Sequence, residues 1–157
     1  MDIVQQQNCD LTMHEGLEIY YDSFPASRSP LKDNCDSGNL LRNHDCTHVI
    51  FGLDTSIEQE ALLDIWVLFG CNFRLASLIA YTKLPQLKGL YRDLYKDYGV
   101  RGMVDIYRKN FHSMRKVFSH ARKMKKKWPL ECPEKYLSRS IDDLRREYGI
   151  NILHSKT

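Results

Sequence analysis

The chain has 157 residues, 43% hydrophobic and 27% charged, which is enough for one compact domain and excludes disorder throughout. Its most apolar stretch, ALLDIWVLFGCNFRLASLIAY, is interrupted by Asp64, Asn72 and Arg74, so no segment offers the roughly 18 uninterrupted apolar residues of a membrane span. The net charge of +3 conceals an asymmetry: residues 1–60 carry three Lys/Arg against eleven Asp/Glu, whereas residues 101–127 carry ten Lys/Arg against one Asp.

The opening residues have neither the basic start and apolar run of a signal peptide nor the acid-poor character of a mitochondrial leader, so a cytoplasmic protein is expected. The five cysteines are widely spaced with no CxxC pair, which indicates free thiols rather than a zinc ribbon or a redox dithiol.

In chain order, apolar residues recur at three- and four-residue intervals without a two-residue alternation, the mark of helices. A first helix is expected near residues 3–22. The stretch SFPASRSPLKDNCDSG (23–38) reads as a loop, and a second helix follows over about 39–51. Gly52 suits its C-terminal cap. Thr55 with Glu58, or Ser56 with Gln59, fits a capping box that opens a third helix running to about Thr82. After the break at Leu84-Pro85, a short helix with Tyr91, Tyr95 and Tyr98 on one stripe closes at Gly99. A long basic helix then spans about 102–128 and stops at Pro129, and a last helix starts near Pro133 and ends before Gly149. Six helices with mostly short connections predict an all-α, single-domain helical bundle over residues 1–157.

The basic helix repeats with a heptad-like period: YRKNFHS, MRKVFSH, ARKMKKK. Apolar positions fall on one side, and Arg108-Lys109, Arg115-Lys116 and Arg122-Lys123 fall on the other. Such a face, over 101–127, suits an anionic membrane surface, at about 1 kcal/mol per Lys or Arg near the headgroups. Peripheral membrane association is therefore expected. No helix-turn-helix, finger or RNA-binding signature accompanies the charge, so nucleic acid is not an expected partner.

The stretch NHDCTHVIFGLDTSIEQE holds the chemistry. His44 and His48 are one helical turn apart, and His44, Asp45 and His48 fit within an arc of about 100° on the helical wheel. The turn between the second and third helices centres near Asp54, with His48 six residues before it and Glu60 six after, so an antiparallel hairpin brings Glu60 beside the imidazoles. Two imidazoles and two carboxylates make a mixed nitrogen–oxygen set for a divalent metal: zinc first, with magnesium, manganese and iron also suited. In HExxH metalloproteases the acid at the position of Asp45 is a general base rather than a ligand.

The pattern His-Asp-x-x-His, eleven residues, then Glu, here His44-Asp45-Cys46-Thr47-His48 and Glu60, resembles the signature of the coenzyme Q (ubiquinone) biosynthesis protein 4 family. Gly52, and IDDLRREYGI near the end, also resemble that family's pattern, and the likeness covers roughly residues 38–152. A divergent bacterial member would fit. The resemblance implies a helical, membrane-associated protein acting on prenylated quinone precursors. It implies that His44, Asp45, His48 and Glu60 hold a divalent metal, usually taken as zinc, at the catalytic centre. It also implies oxidative decarboxylation at C1 of the prenylated ring and association with other quinone biosynthesis enzymes. This chain departs from the pattern in a reduced stretch before the motif and in its basic middle segment.

Leu62, Trp66, Phe69 and Phe73, with Tyr107, Phe111 and Met114, are the candidates for an isoprenoid groove, although the same residues would serve as an ordinary core. A prenylated precursor or an isoprenoid phosphate is the expected ligand. The competing reading is a non-enzymatic lipid carrier or scaffold. A helical phosphohydrolase would require His14 and Asp105 in roles that their positions do not suit.

Overall fold

A computed structural model describes residues 2–24, 36–73 and 85–153. Its helices are α1 (Met13–Ser23), α2 (Asp36–Phe51), α3 (Ile57–Gly70), α4 (Pro85–Lys123) and α5 (Ile141–Tyr148). The fold is predominantly helical, as expected, but with five helices among the described residues rather than about six. It also has a small parallel pair, β1 (Cys71–Asn72) with β2 (Trp128–Pro129), in the register Cys71 to Trp128 and Asn72 to Pro129.

Each difference has a local cause. The first helix starts at Met13 rather than near residue 3, because Thr12 and Glu15 form a reciprocal capping box that fixes the start there. The third helix stops at Gly70, where Cys71 turns extended (φ −104°, ψ 155°) and enters the strand pair. Its expected continuation to Thr82 lies largely outside the described residues, as do most of the expected 23–38 loop and the side chains of Tyr91 and Tyr95. The two helices expected on either side of Gly99 are one helical run, α4, broken internally at that glycine (φ 60°, ψ 178°). The basic helix ends at Lys123, and Trp128–Pro129 is strand. Pro133 opens only a short 3-10 turn, Glu134–Tyr136. Ser140 caps α5 by accepting from the Asp143 backbone N–H at 3.4 Å, and Gly149 closes it in the left-handed conformation.

The core gathers Met13, Leu17 and Tyr20 from α1, Val49, Ile50 and Phe51 from α2, and Leu63 and Trp66 from α3. Val117 and Ala121 of α4 join it, with Ile141 and Leu144 of α5. The rings of Phe51 and Trp66 stack at 4.5 Å and 10°, locking α2 to α3 beyond the metal-motif residues. Each such buried side chain contributes about 1.5–3 kcal/mol of apolar transfer. The cations of α4 at 108, 109, 115, 116, 122 and 123 are all exposed, as the heptad pattern predicts. Among the described residues no helix is long and apolar enough to cross a membrane.

Candidate metal centre

The end of α2 is built as a Schellman motif. Leu53 N–H donates to the His48 carbonyl (2.9 Å) and Gly52 N–H to that of Val49 (3.3 Å), with Gly52 at φ +66°. The turn that follows uses neither expected capping box. Asp54 Oδ1 instead accepts from Ser56 N–H (2.8 Å) and Ser56 Oγ (2.6 Å), an Asx-type turn that sets the start of α3 at Ile57.

This hairpin brings Glu60 to the histidines. His48 Nε2 lies 3.2 Å from Glu60 Oε1, His44 Nε2 lies 3.9 Å from Glu60 Oε2, and the two Nε2 atoms are 3.1 Å apart. The three groups present ligand atoms all within 4.8 Å of one another, and together they could hold a metal ion. Ligands about 2.1 Å from one cation are separated by about 3.0 Å in an octahedron and about 3.4 Å in a tetrahedron. The His44–His48 and His48–Glu60 separations match those edges, whereas His44 comes nearest to the other carboxylate oxygen, at 3.9 Å, so the carboxylate would have to turn for one oxygen to serve both imidazoles. The same atoms can also satisfy one another through shared protons.

The electrostatics favour ligation. Packing, and then the neighbouring His48, push the His44 imidazole well below its ordinary range, into the neutral form that binds metal. Burial raises the Glu60 carboxyl, but its hydrogen bond to His48 and the two neighbouring imidazoles outweigh this and leave it lowered. His48 is fully buried and its ring stacks on Tyr20 at 5.3 Å and 28°. Its Nδ1 is buried without a hydrogen-bond partner among the described residues, unlike most metal-binding imidazoles, whose second nitrogen is anchored.

Asp45, expected as the fourth ligand, is not part of the three-residue group. It is buried beside it and accepts a hydrogen bond from the Tyr21 hydroxyl at 3.2 Å. Burial pushes the Asp45 carboxyl up to about 7, partly offset by His48 and Tyr21. Sequence reasoning missed Tyr20 and Tyr21, because nothing in a Tyr-Tyr pair on a separate helix signals an Asp 24 residues away.

Nor does the spacing within IDDLRREYGI signal the role of Arg145. This guanidinium is fully buried and donates to the carbonyls of Ile50 (2.8 Å), Val49 (3.0 Å), Val4 (2.8 Å), Gln6 (2.5 Å) and Gln7 (3.3 Å). It caps the negative end of α2 and ties residues 4–7 to it, immediately beyond His48. Burial lowers its pKa to about 10, so it stays charged.

The seven residues expected to line a lipid groove are divided between core and surface. Leu62 and Trp66 are buried, and Phe73 and Met114 are half-buried against the core. Phe69 and Phe111 are exposed, and Phe69 packs edge-on against Phe118 at 4.7 Å. Tyr107 is exposed and donates to Asp64 Oδ2 at 3.3 Å.

No family model, curated protein or solved structure matches this chain.

Proposed function

We propose that this protein is a metal-dependent member of prenyl-quinone metabolism that binds a prenylated aromatic ring, or an isoprenoid phosphate, with its polar head at His44, His48 and Glu60. The observation that carries this reading is the convergence of two imidazole nitrogens and one carboxylate from opposite sides of a helical hairpin. The motif resemblance adds the substrate class.

A divalent cation held by these residues, with zinc as first choice and magnesium, manganese or iron as alternatives, supplies Lewis-acid polarisation of a carboxylate or phosphate oxygen. The chain's own groups orient and enclose. Glu60 and His48 fix one edge of the site, and Tyr20 covers the His48 ring. Tyr21 holds Asp45, a buried carboxyl that titrates near neutrality and can keep a proton at Oδ1 or Oδ2 beside the site. The reaction that the motif resemblance implies is oxidative decarboxylation at C1 of the ring, in which the carboxyl leaves as CO2 and a hydroxyl takes its place, a two-electron oxidation that requires an external oxidant such as dioxygen. Exposed apolar residues on α4 (Val100, Val104, Tyr107 and Phe111), interleaved with its cations, support contact with an anionic membrane and a hand-over role alongside other quinone biosynthesis enzymes.

The exposed apolar stripe also favours a second reading, a lipid carrier or scaffold without turnover. His48→Ala and Glu60→Ala, assayed separately for lipid binding and for conversion of a carboxylated prenyl-phenol, distinguish the two. Turnover in the wild type that is lost in both variants supports the enzyme. Lipid binding with no wild-type turnover leaves the carrier.

A further inference from the structure

A groove on α4 belongs neither to the metal centre nor to the core. Its described lining is Arg115, Phe118, Ser119, Arg122 and Lys123, around a volume of about 530 Å³. These positions fall at i, i+3, i+4, i+7 and i+8, a single stripe of the helix, so three cations and a hydroxyl face one space.

Several cations elsewhere on this surface pair with carboxylates: Arg42 with Glu134, Arg139 with Glu147, Arg146 with Asp142 and Asp143, and Arg108 with Asp105. Arg115, Arg122 and Lys123 are exposed and have no acidic partner among the described residues. The groove floor is braced. The Arg122 guanidinium carbon lies 5.7 Å from the Phe118 ring centroid, and that ring also makes an edge contact with Phe69.

The chemistry of the lining selects the ligand. Two guanidinium forks match the paired oxygens of a phosphate, an ammonium adds a point charge, and Ser119 adds a hydroxyl donor. A single carboxylate would leave most of these donors and two of the three charges unanswered. Arg115 and Arg122 lie two turns apart, about 10.5 Å along the axis, a span that two extended side chains can close from either end around one or two linked phosphates.

We propose that this groove is a phosphoryl-binding site, taking the mono- or diphosphate group of a soluble ester or of a lipid headgroup. It stands independently of the metal centre.

The test titrates inorganic pyrophosphate into the full chain at about 0.15 M salt, where exposed charges further apart than about 8 Å are largely screened. Amide NMR shifts report the position of binding. Saturable binding is expected, with shifts centred on residues 115–123. An Arg115→Gln/Arg122→Gln variant should bind at least about tenfold more weakly, because each lost guanidinium removes charge-assisted hydrogen bonds. Lys96→Gln/Lys135→Gln, which removes the same charge at exposed positions outside the 101–127 face, should stay within about twofold of the wild type. All four positions are exposed, so both variants should fold, and circular dichroism checks this.

Phosphatidylcholine vesicles with and without phosphatidic acid form the second arm. Phosphatidic acid vesicles that compete with pyrophosphate support a lipid headgroup as the ligand, whereas vesicles that leave pyrophosphate binding untouched support a soluble ester. Absence of saturable pyrophosphate binding, or equal losses in the two double variants, overturns the site.

Discussion

Glu60 Oε1 lies 3.2 Å from His48 Nε2 across a tight turn between two helices. The carboxylate meets the imidazole because the turn is symmetric about Asp54, whose side chain holds Ser56 at the start of α3. The pair is therefore a product of turn chemistry as much as of the two residues themselves.

Metal loading should stabilise the chain. A cation at about 100 times its dissociation constant adds about 2.7 kcal/mol. For a chain of this size that is a rise in Tm of roughly 5–10 °C. Chelation should reverse it, and His48→Ala or Glu60→Ala should abolish it while weakening metal binding more than about 100-fold, beyond the usual outer-shell effect. Elemental analysis that finds no bound metal under any loading condition would remove the centre.

Tyr21→Phe isolates the support of Asp45. The buried carboxyl loses its hydroxyl donor, at a cost of about 1–3 kcal/mol in unfolding free energy. Metal affinity should fall about 10–100-fold with the ligands untouched. Equal affinity in the variant and the wild type would separate Asp45 from the cation altogether. Urea unfolding and a metal titration read the two effects independently.

Arg145→Met should be among the most damaging single changes, because it strands five carbonyl contacts in the interior. The expected loss exceeds about 3 kcal/mol, against less than about 1 kcal/mol for Arg146→Met, whose guanidinium is itself exposed. Similar denaturation midpoints for the two variants would contradict the capping role.

Gly52→Ala tests the end of α2. The φ of +66° disfavours any side chain, and the new Cβ would sit 3.0 Å from Ile152 Cδ1 and 3.3 Å from the Val4 carbonyl oxygen. A loss of at least about 1–2 kcal/mol is expected in the denaturation midpoint. A variant as stable as the wild type would show that the left-handed cap is dispensable.

What the sequence revealed follows the range of the interactions. The His44, His48 and Glu60 grouping was legible because helical spacing and one turn determine it. The outward cations of α4 were legible because their period is local. The start of α1 was misplaced because the Thr12–Glu15 box went unnoticed, although it is itself a local signal. The Cys71–Trp128 pairing was invisible, being two residues long and made across the whole of α4. Periodicity marked Leu62, Trp66, Phe69, Tyr107 and Phe111 as apolar stripes but could not say which would meet Phe51 and which would face solvent. The Tyr21–Asp45 contact joins separate helices and has no spacing to betray it.

The contacts of Arg145 impose an order of assembly. His48 and Glu60 can meet as soon as one short turn has formed, because the loop between them is cheap to close. The guanidinium that holds the end of α2 is 95 residues from Ile50 and 141 from Val4. A nascent chain halted before residue 145 thus carries His44, His48 and Glu60, while the final carbonyls of α2 still face water.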